Sequence, residues 1–160
     1  MLIKQVFNNN VVLVDDDLKK REYILIGKGL GFQKKKGMKV DIDRIEKKFI
    51  SDDVSVKKRL IALAEEVNPD IFDATSEMIG RIEKELGQDL YKYIYLSLTD
   101  HIAFAIKRNK EGILVRNSFL HEIKRIYKNE FAAAMVALEY LNERFNVDLN
   151  EDEAGFIAIH

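Results

Sequence analysis

Near residue 54 the hydrophobic period of this chain changes from two to about 3.6, and that change fixes what it can fold into. Before it lie short apolar or β-branched runs, Leu2–Phe7, Val11–Val14 and Tyr23–Ile26, separated by the polar turns Asn8–Asn10 and Asp15–Asp17. Val40–Ile50 offers a last strand, or a helical turn over Ile42–Glu46. Beyond it, Val56, Leu60, Leu63 and Ala64 share one helix face, and Met78, Ile79, Ile82 and Leu86 share another that stops at Gly87. Further helical stripes run through Leu90–Ala105, Phe119–Tyr127 and Phe131–Phe145. Asn150 with Glu153 three residues on resembles a capping box for a last helix. The expected class is therefore α+β: a small antiparallel β-sheet domain (residues 1–55), a helical linker (56–65) and an all-α bundle of roughly five helices (66–160). The final helix is only about ten residues, marginal alone, so the natural chain is expected to continue past His160. The β part has few large apolar groups, which favours a dimer that buries one sheet face.

Charge follows the same division. Residues 1–50 hold 12 Lys and Arg against 7 Asp and Glu, a net of +5, which leaves −6 on the remainder of a chain whose total is −1. A basic β module beside an acidic helical one suits polyanion binding under separate control; scattered solvated lysines are the plainer reading. At 47% hydrophobic and 33% charged, the composition is that of a globular domain. The longest apolar run, Phe131–Leu138, is too short for a bilayer, and the start shows no secretory signal. With no cysteine, disulfides and thiolate metal sites are excluded and a cytoplasmic location is expected.

Two segments concentrate chemistry. Asn8–Asn10 supplies amides that can read base edges or sugar hydroxyls. Gly27–Lys36 supplies glycines for close backbone approach, Phe32 for stacking, and Lys28, Lys34, Lys35 and Lys36 for phosphates. Each also has a plain structural reading, a hairpin turn for the asparagines and a glycine turn with Phe32 in the core for the other. The GKGLGF stretch lacks phosphate-loop spacing.

Order and spacing add to this inventory. I-K-Q-V-F-N-N-N-V-V-L-V (3–14), I-G-K-G-L-G-F-Q-K-K-K-G (26–37) and D-x-x-R-I-E-K-x-F (41–49) resemble the co-antiterminator RNA-binding domain of BglG/SacY-type transcriptional antiterminators. S-L-T-D-H-I-x-F-A-I (97–106) and D-E-A-G-F-I-A-I-H (152–160) resemble the phosphotransferase-system regulation domain that follows it in that family. The resemblance spans essentially the whole chain. It implies a homodimer that binds a leader-RNA hairpin and prevents terminator formation. It implies RNA contacts from Asn8, Asn10, Gly27, Lys28, Phe32 and Gln33. Where family members often carry a basic residue this chain departs and has Gln5, with Lys4 beside it as the candidate basic contact; on a regular strand those two point to opposite faces. It implies phosphorylation of His101 and His160 by phosphotransferase-system proteins, the sugar-specific transporter component and HPr, with the two histidines meeting at the dimer interface. A second regulatory domain usually follows in the family; without it, RNA binding is expected to survive and control through that domain to be lost.

Of the three histidines, His121 lies outside both motifs and reads as a surface residue. A neutral imidazole is a competent phosphoryl acceptor, and the added charge of about −2 makes a switch without catalysis by this chain. Asp100 precedes His101, but neighbours do not face each other on a helix, so its support is indirect or comes from a helix start. By residue type alone, the first reading of each histidine is a satisfied structural residue. No metal or cofactor is expected, since no close H-x₃-H pair is present. Two rival functions are a dimerisation module whose basic β-domain binds an acidic protein, and a small enzyme using His101 with Asp100; no nucleophile, metal set or cofactor loop accompanies that pair. The chain is therefore read as a non-enzyme without membrane insertion.

Overall fold

The structure, a computed structural model, describes residues Met1–His160. It divides into two compact units, Met1–Asp73 and Ala74–His160, and the division falls inside a helix. The first unit is an antiparallel meander of β1 (Leu2–Val6), β2 (Val11–Asp16), β3 (Arg21–Ile26) and β4 (Lys47–Ile50), in that spatial order. The pairs Val12–Leu25 and Val14–Tyr23 place one set of side chains on one face, where Ile3, Leu30 and Val40 join them in a buried cluster. The alternate pairs, Val11–Ile26 and Leu13–Ile24, point the other way and are buried too. Both faces of the sheet are thus buried within one chain. Ile42–Arg44 forms a 3-10 turn and Lys47–Ile50 a strand, so the last β segment contains both of the expected conformations.

α1 (Val54–Glu66) begins at Asp53, whose carboxylate accepts from the Ser55 and Val56 amides. Residues 56–65, expected as a linker, lie inside α1, which belongs to the first unit. The helix's apolar stripe, Leu60, Leu63 and Ala64, is buried, and Lys57 pairs with Glu22 of β3. α2 (Pro69–Leu86) starts with proline at its first position, where the missing N–H costs nothing. Asn68 caps it through Oδ1 to the Asp70 amide. Gly87, at φ +69°, ends it with its N–H on the Glu83 carbonyl.

The second unit contains the rest of α2, α3 (Ile94–Lys110), α4 (Leu120–Ile126), α5 (Lys128–Phe145) and α6 (Glu151–Ile159). α4, α5 and α6 pack against one another. No helix is long and apolar enough to cross a membrane. A polar tie joins α2 to α5: the Tyr140 hydroxyl donates to Glu77 Oε2 at 3.0 Å, and the Arg81 guanidinium lies 4.4 Å over the Tyr140 ring. Burial, then the hydrogen bond and charge of Glu77, push the Tyr140 phenol up to about 12. Tyr140→Phe is expected to cost about 1 kcal/mol in urea unfolding. A spectrophotometric titration should show a phenol ionising near 12, and that step should vanish in the variant.

Candidate functional site

The Asn8–Asn10 turn and the glycine segment are one structure. Gly27 N–H donates to the Asn10 carbonyl at 2.9 Å, and Gly31 N–H to the Asn9 carbonyl at 2.8 Å. Gly29 N–H donates to Asn10 Oδ1 at 3.0 Å. The 41–49 motif closes on the same loop. Glu46 N–H meets the Ile26 carbonyl at 2.9 Å, Glu46 Oε1 accepts from the Lys28 amide at 3.3 Å, and Arg44 Nη1 reaches the Gly29 carbonyl. Gly27 is required by contact: a Cβ there would lie 1.8 Å from the Arg44 carbonyl oxygen.

The two asparagine side chains face inward. Asn8 Oδ1 accepts from the Asn10 and Val11 amides, an Asx turn, and its Nδ2 donates to the Ala64 carbonyl at 3.1 Å. That carbonyl is in the last turn of α1, where helical partners run out. Asn10 is 4% exposed and its Nδ2 donates to the Pro69 carbonyl at 3.0 Å. Asp73 lies nearby; burial and Glu46 push its carboxyl up, against Lys28 and the Asn10 hydrogen bond. In this arrangement both amide nitrogens are taken up by main-chain carbonyls, and Asn10 is buried.

Phe32 is 54% exposed, and Leu30 is the residue of this loop that fills the core. The reading of Phe32 as a core residue is therefore corrected: the turn carries Leu30 under the sheet and Phe32 outward. Lys28, Gln33, Lys35 and Lys36 are exposed around it. Lys4 needs a correction of a different kind. A bulge between Ile3 and Gln5 inserts Lys4 as the extra residue, so strict alternation fails and both Lys4 and Gln5 are exposed. Lys4 Nζ pairs with Glu22, which raises the lysine pKa and, through the same hydrogen bond, lowers that of the carboxylate.

The second site is in the helical unit. His101 projects from α3 and His160 closes α6, with ring centroids 5.1 Å apart. His101 Nε2 lies 3.0 Å from Glu153 Oε2, and Arg108 Nη2 lies 3.0 Å from Glu153 Oε1. Burial raises the Glu153 pKa, but the hydrogen bonds from His101 and Arg108 outweigh it and the net shift is downward. Glu153 is therefore not the reciprocal arm of a capping box. Asn150 caps α6 through the Asp152 amide, while Glu153 turns to α3. The sequence offers Glu153 as a capping-box acid and says nothing of Arg108, yet a signal for their shared site existed: 101 and 108, and 153 and 160, are each seven apart, nearly two turns on one helix face. Asp100 lies within α3, not at its start, and the carboxylate on the His101 ring is that of Glu153. The His101 side chain is 16% exposed, whereas His160 is exposed at the rim of a groove lined by Ile82, Leu86, Leu90 and Tyr127. Arg108 Nε is buried without a hydrogen-bond partner, a donor in reserve beside the pair. No cluster of three or more His, Cys, Asp or Glu residues is placed to hold a metal.

Three comparisons bear on this pair of sites. Residues 1–58 match the CAT RNA binding domain and residues 76–160 the PRD domain. The chain is 44% identical over 160 residues to the transcription antiterminator LicT of Bacillus subtilis, covering 100% of this chain and 57% of that protein. It is 39% identical to the β-glucoside operon antiterminator of Dickeya chrysanthemi, covering 100% and 56%. The crystal structure of GlcT CAT-PRDI superposes with a TM-score of 0.87 at 37% identity, covering 99% of this chain and 94% of that one. The chain thus spans little more than half the length of these curated relatives.

Asn10→Ala is expected to lower the stability of the first unit by about 2–3 kcal/mol, because it removes the buried amide that holds the part-buried Gly29 N–H and the Pro69 carbonyl. Gly27→Ala should cost at least as much through its clash. Urea midpoints monitored at amides of the sheet check both. In the second unit, Glu153 is lowered from 4.5, so its stabilisation is present above that value and drains as pH falls through the lower folded value. Thermal melts from neutral to acid pH should show the gap between wild type and Glu153→Gln closing below about 4.5.

Proposed function

This chain belongs to the family of transcription antiterminators that join a CAT RNA-binding domain to a PRD domain, and from that we propose that it binds a hairpin in a leader transcript as a homodimer and prevents terminator formation. The supporting observation is the knot of the Asn turn, glycine loop and 41–49 segment, which projects one exposed aromatic ring from a ring of lysines. Phe32 stacks on an unpaired base, Lys28 and Lys34–Lys36 meet phosphates, and Gln33 offers an amide to a base edge. Lys4 joins them when Glu22 releases it. Asn8 and Asn10 hold the loop from beneath, and they reach RNA only once their amides leave the Ala64 and Pro69 carbonyls. The arrangement seen here is thus the one that withholds them.

Control is proposed to come from phosphorylation of His101 and His160 by phosphotransferase-system proteins, the transporter component and HPr, in the cytoplasm. Asp100 is assigned a supporting role. Two histidines 5.1 Å apart beside an arginine with an unused donor can accept a group that brings about two negative charges. The chain is read as a regulator and not an enzyme, since the sites hold switchable and binding groups.

Binding of the chain to a bulged RNA hairpin should weaken as salt rises, and Lys28→Ala should lower the slope of log K against log salt by about 0.7–0.9. Phe32→Ala should weaken binding by about 5- to 150-fold, the equivalent of one stacked base. Binding that ignores both salt and hairpin sequence would sink the RNA reading. Mass spectrometry after incubation with the phosphotransfer proteins should find phosphate on His101 or His160; its absence from both would defeat the regulatory half.

A further inference from the structure

His101 and His160 make their hydrogen bonds through opposite ring nitrogens. At His160 it is Nδ1 that lies 2.7 Å from the Phe156 carbonyl oxygen. A carbonyl oxygen only accepts, so Nδ1 carries the proton and the neutral ring keeps its lone pair on Nε2. At His101 the bonded atom is Nε2, 3.0 Å from Glu153 Oε2. That carboxylate is held ionised by the Arg108 guanidinium on its other oxygen. An ionised carboxylate also only accepts, so Nε2 of His101 carries the proton and the lone pair is on Nδ1. Hydrogen-bonded partners fix imidazole tautomers in this way at metal and catalytic sites.

We propose that the two histidines are locked in opposite tautomers, so that His101 takes a phosphoryl group on Nδ1 and His160 on Nε2, with Glu153 as the positioning residue for His101. This rests on the reading of both as phosphoacceptors. In the transfer, the Nδ1 lone pair of His101 forms a bond to the phosphorus of a phosphohistidine- or phosphocysteine-bearing donor protein. The donor's P–N or P–S bond breaks and its electron pair stays with the donor. The His101 ring, still protonated at Nε2, is then cationic, and the Glu153 carboxylate faces that charge. His160 follows the same steps at Nε2, with its Nδ1 proton on a neutral carbonyl. The two phosphohistidines are therefore different chemical species, and Glu153 hydrogen-bonds only the His101 ring.

The test uses the whole 160-residue chain with ¹⁵N-labelled histidine and long-range ¹H–¹⁵N correlation spectra at about pH 8, above the ordinary imidazole range. His101→Gln and His160→Gln assign the signals. The expected patterns are an Nε2–H ring at His101 and an Nδ1–H ring at His160. After treatment with phosphoramidate as phosphoryl donor, coupling to phosphorus should appear at Nδ1 of His101 and Nε2 of His160. Glu153→Gln, whose amide can donate as well as accept, should let His101 populate both tautomers and carry phosphate on both nitrogens, with His160 unchanged. Either wild-type ring in the other tautomer, or the same nitrogen phosphorylated in both, overturns the proposal. If the tautomers are as stated and neither ring takes phosphate, from phosphoramidate or from the phosphotransfer proteins, the phosphoacceptor reading fails and the transfer half falls with it, while the tautomer half stands. The wild-type spectra decide the matter even if Glu153→Gln fails to fold.

Discussion

The buried amide of Asn10 is the contact on which the first unit turns. Its oxygen takes the Gly29 N–H, its nitrogen gives to the Pro69 carbonyl, and its main-chain carbonyl takes the Gly27 N–H. One side chain thus joins the turn after β1, the glycine loop after β3 and the first residue of α2. An amide with only 4% exposure must be satisfied in both halves, because an orphaned donor or acceptor there costs about 1–3 kcal/mol. That demand fixes the loop's height against the turn. With Gly27 pressed on the Arg44 carbonyl, the loop has one path, and it delivers Leu30 inward and Phe32 outward.

Glu153 plays a comparable part in the second unit. It is 5% exposed and anionic, and its two oxygens are divided between His101 and Arg108. A buried carboxylate persists only with such partners. Because the partners sit one on each side of it, α3 is held to α6 in the register that brings His101 beside His160. The same carboxylate therefore supports packing and sets the chemistry of the ring.

Much of this was legible in the sequence. The change of period near residue 54 predicted sheet then helices, and the meander and five helices from α2 onward follow it. Gly87 and Asn150 mark helix ends through local backbone chemistry, which needs no tertiary contact. What local rules missed has a common cause. The bulge at Lys4 comes from cross-strand pairing, so strand alternation could not foresee it. Glu153 has the spacing of a capping-box acid, and only the approach of α3 offers it better partners than its own helix end.

The sequence by itself determined the elements, their order, and the inventory of asparagines, glycines, lysines, Phe32 and paired histidines, because propensity, capping and period are properties of neighbours along the chain. The tertiary structure decided what those groups do. It turned Asn8 and Asn10 inward to the carbonyls of Ala64 and Pro69, sent Phe32 out while Leu30 went in, and gave His101 and His160 opposite hydrogen-bond partners. Which polar group meets which is settled by burial, where every donor and acceptor must find a partner across long sequence separations, and no local pattern encodes that choice.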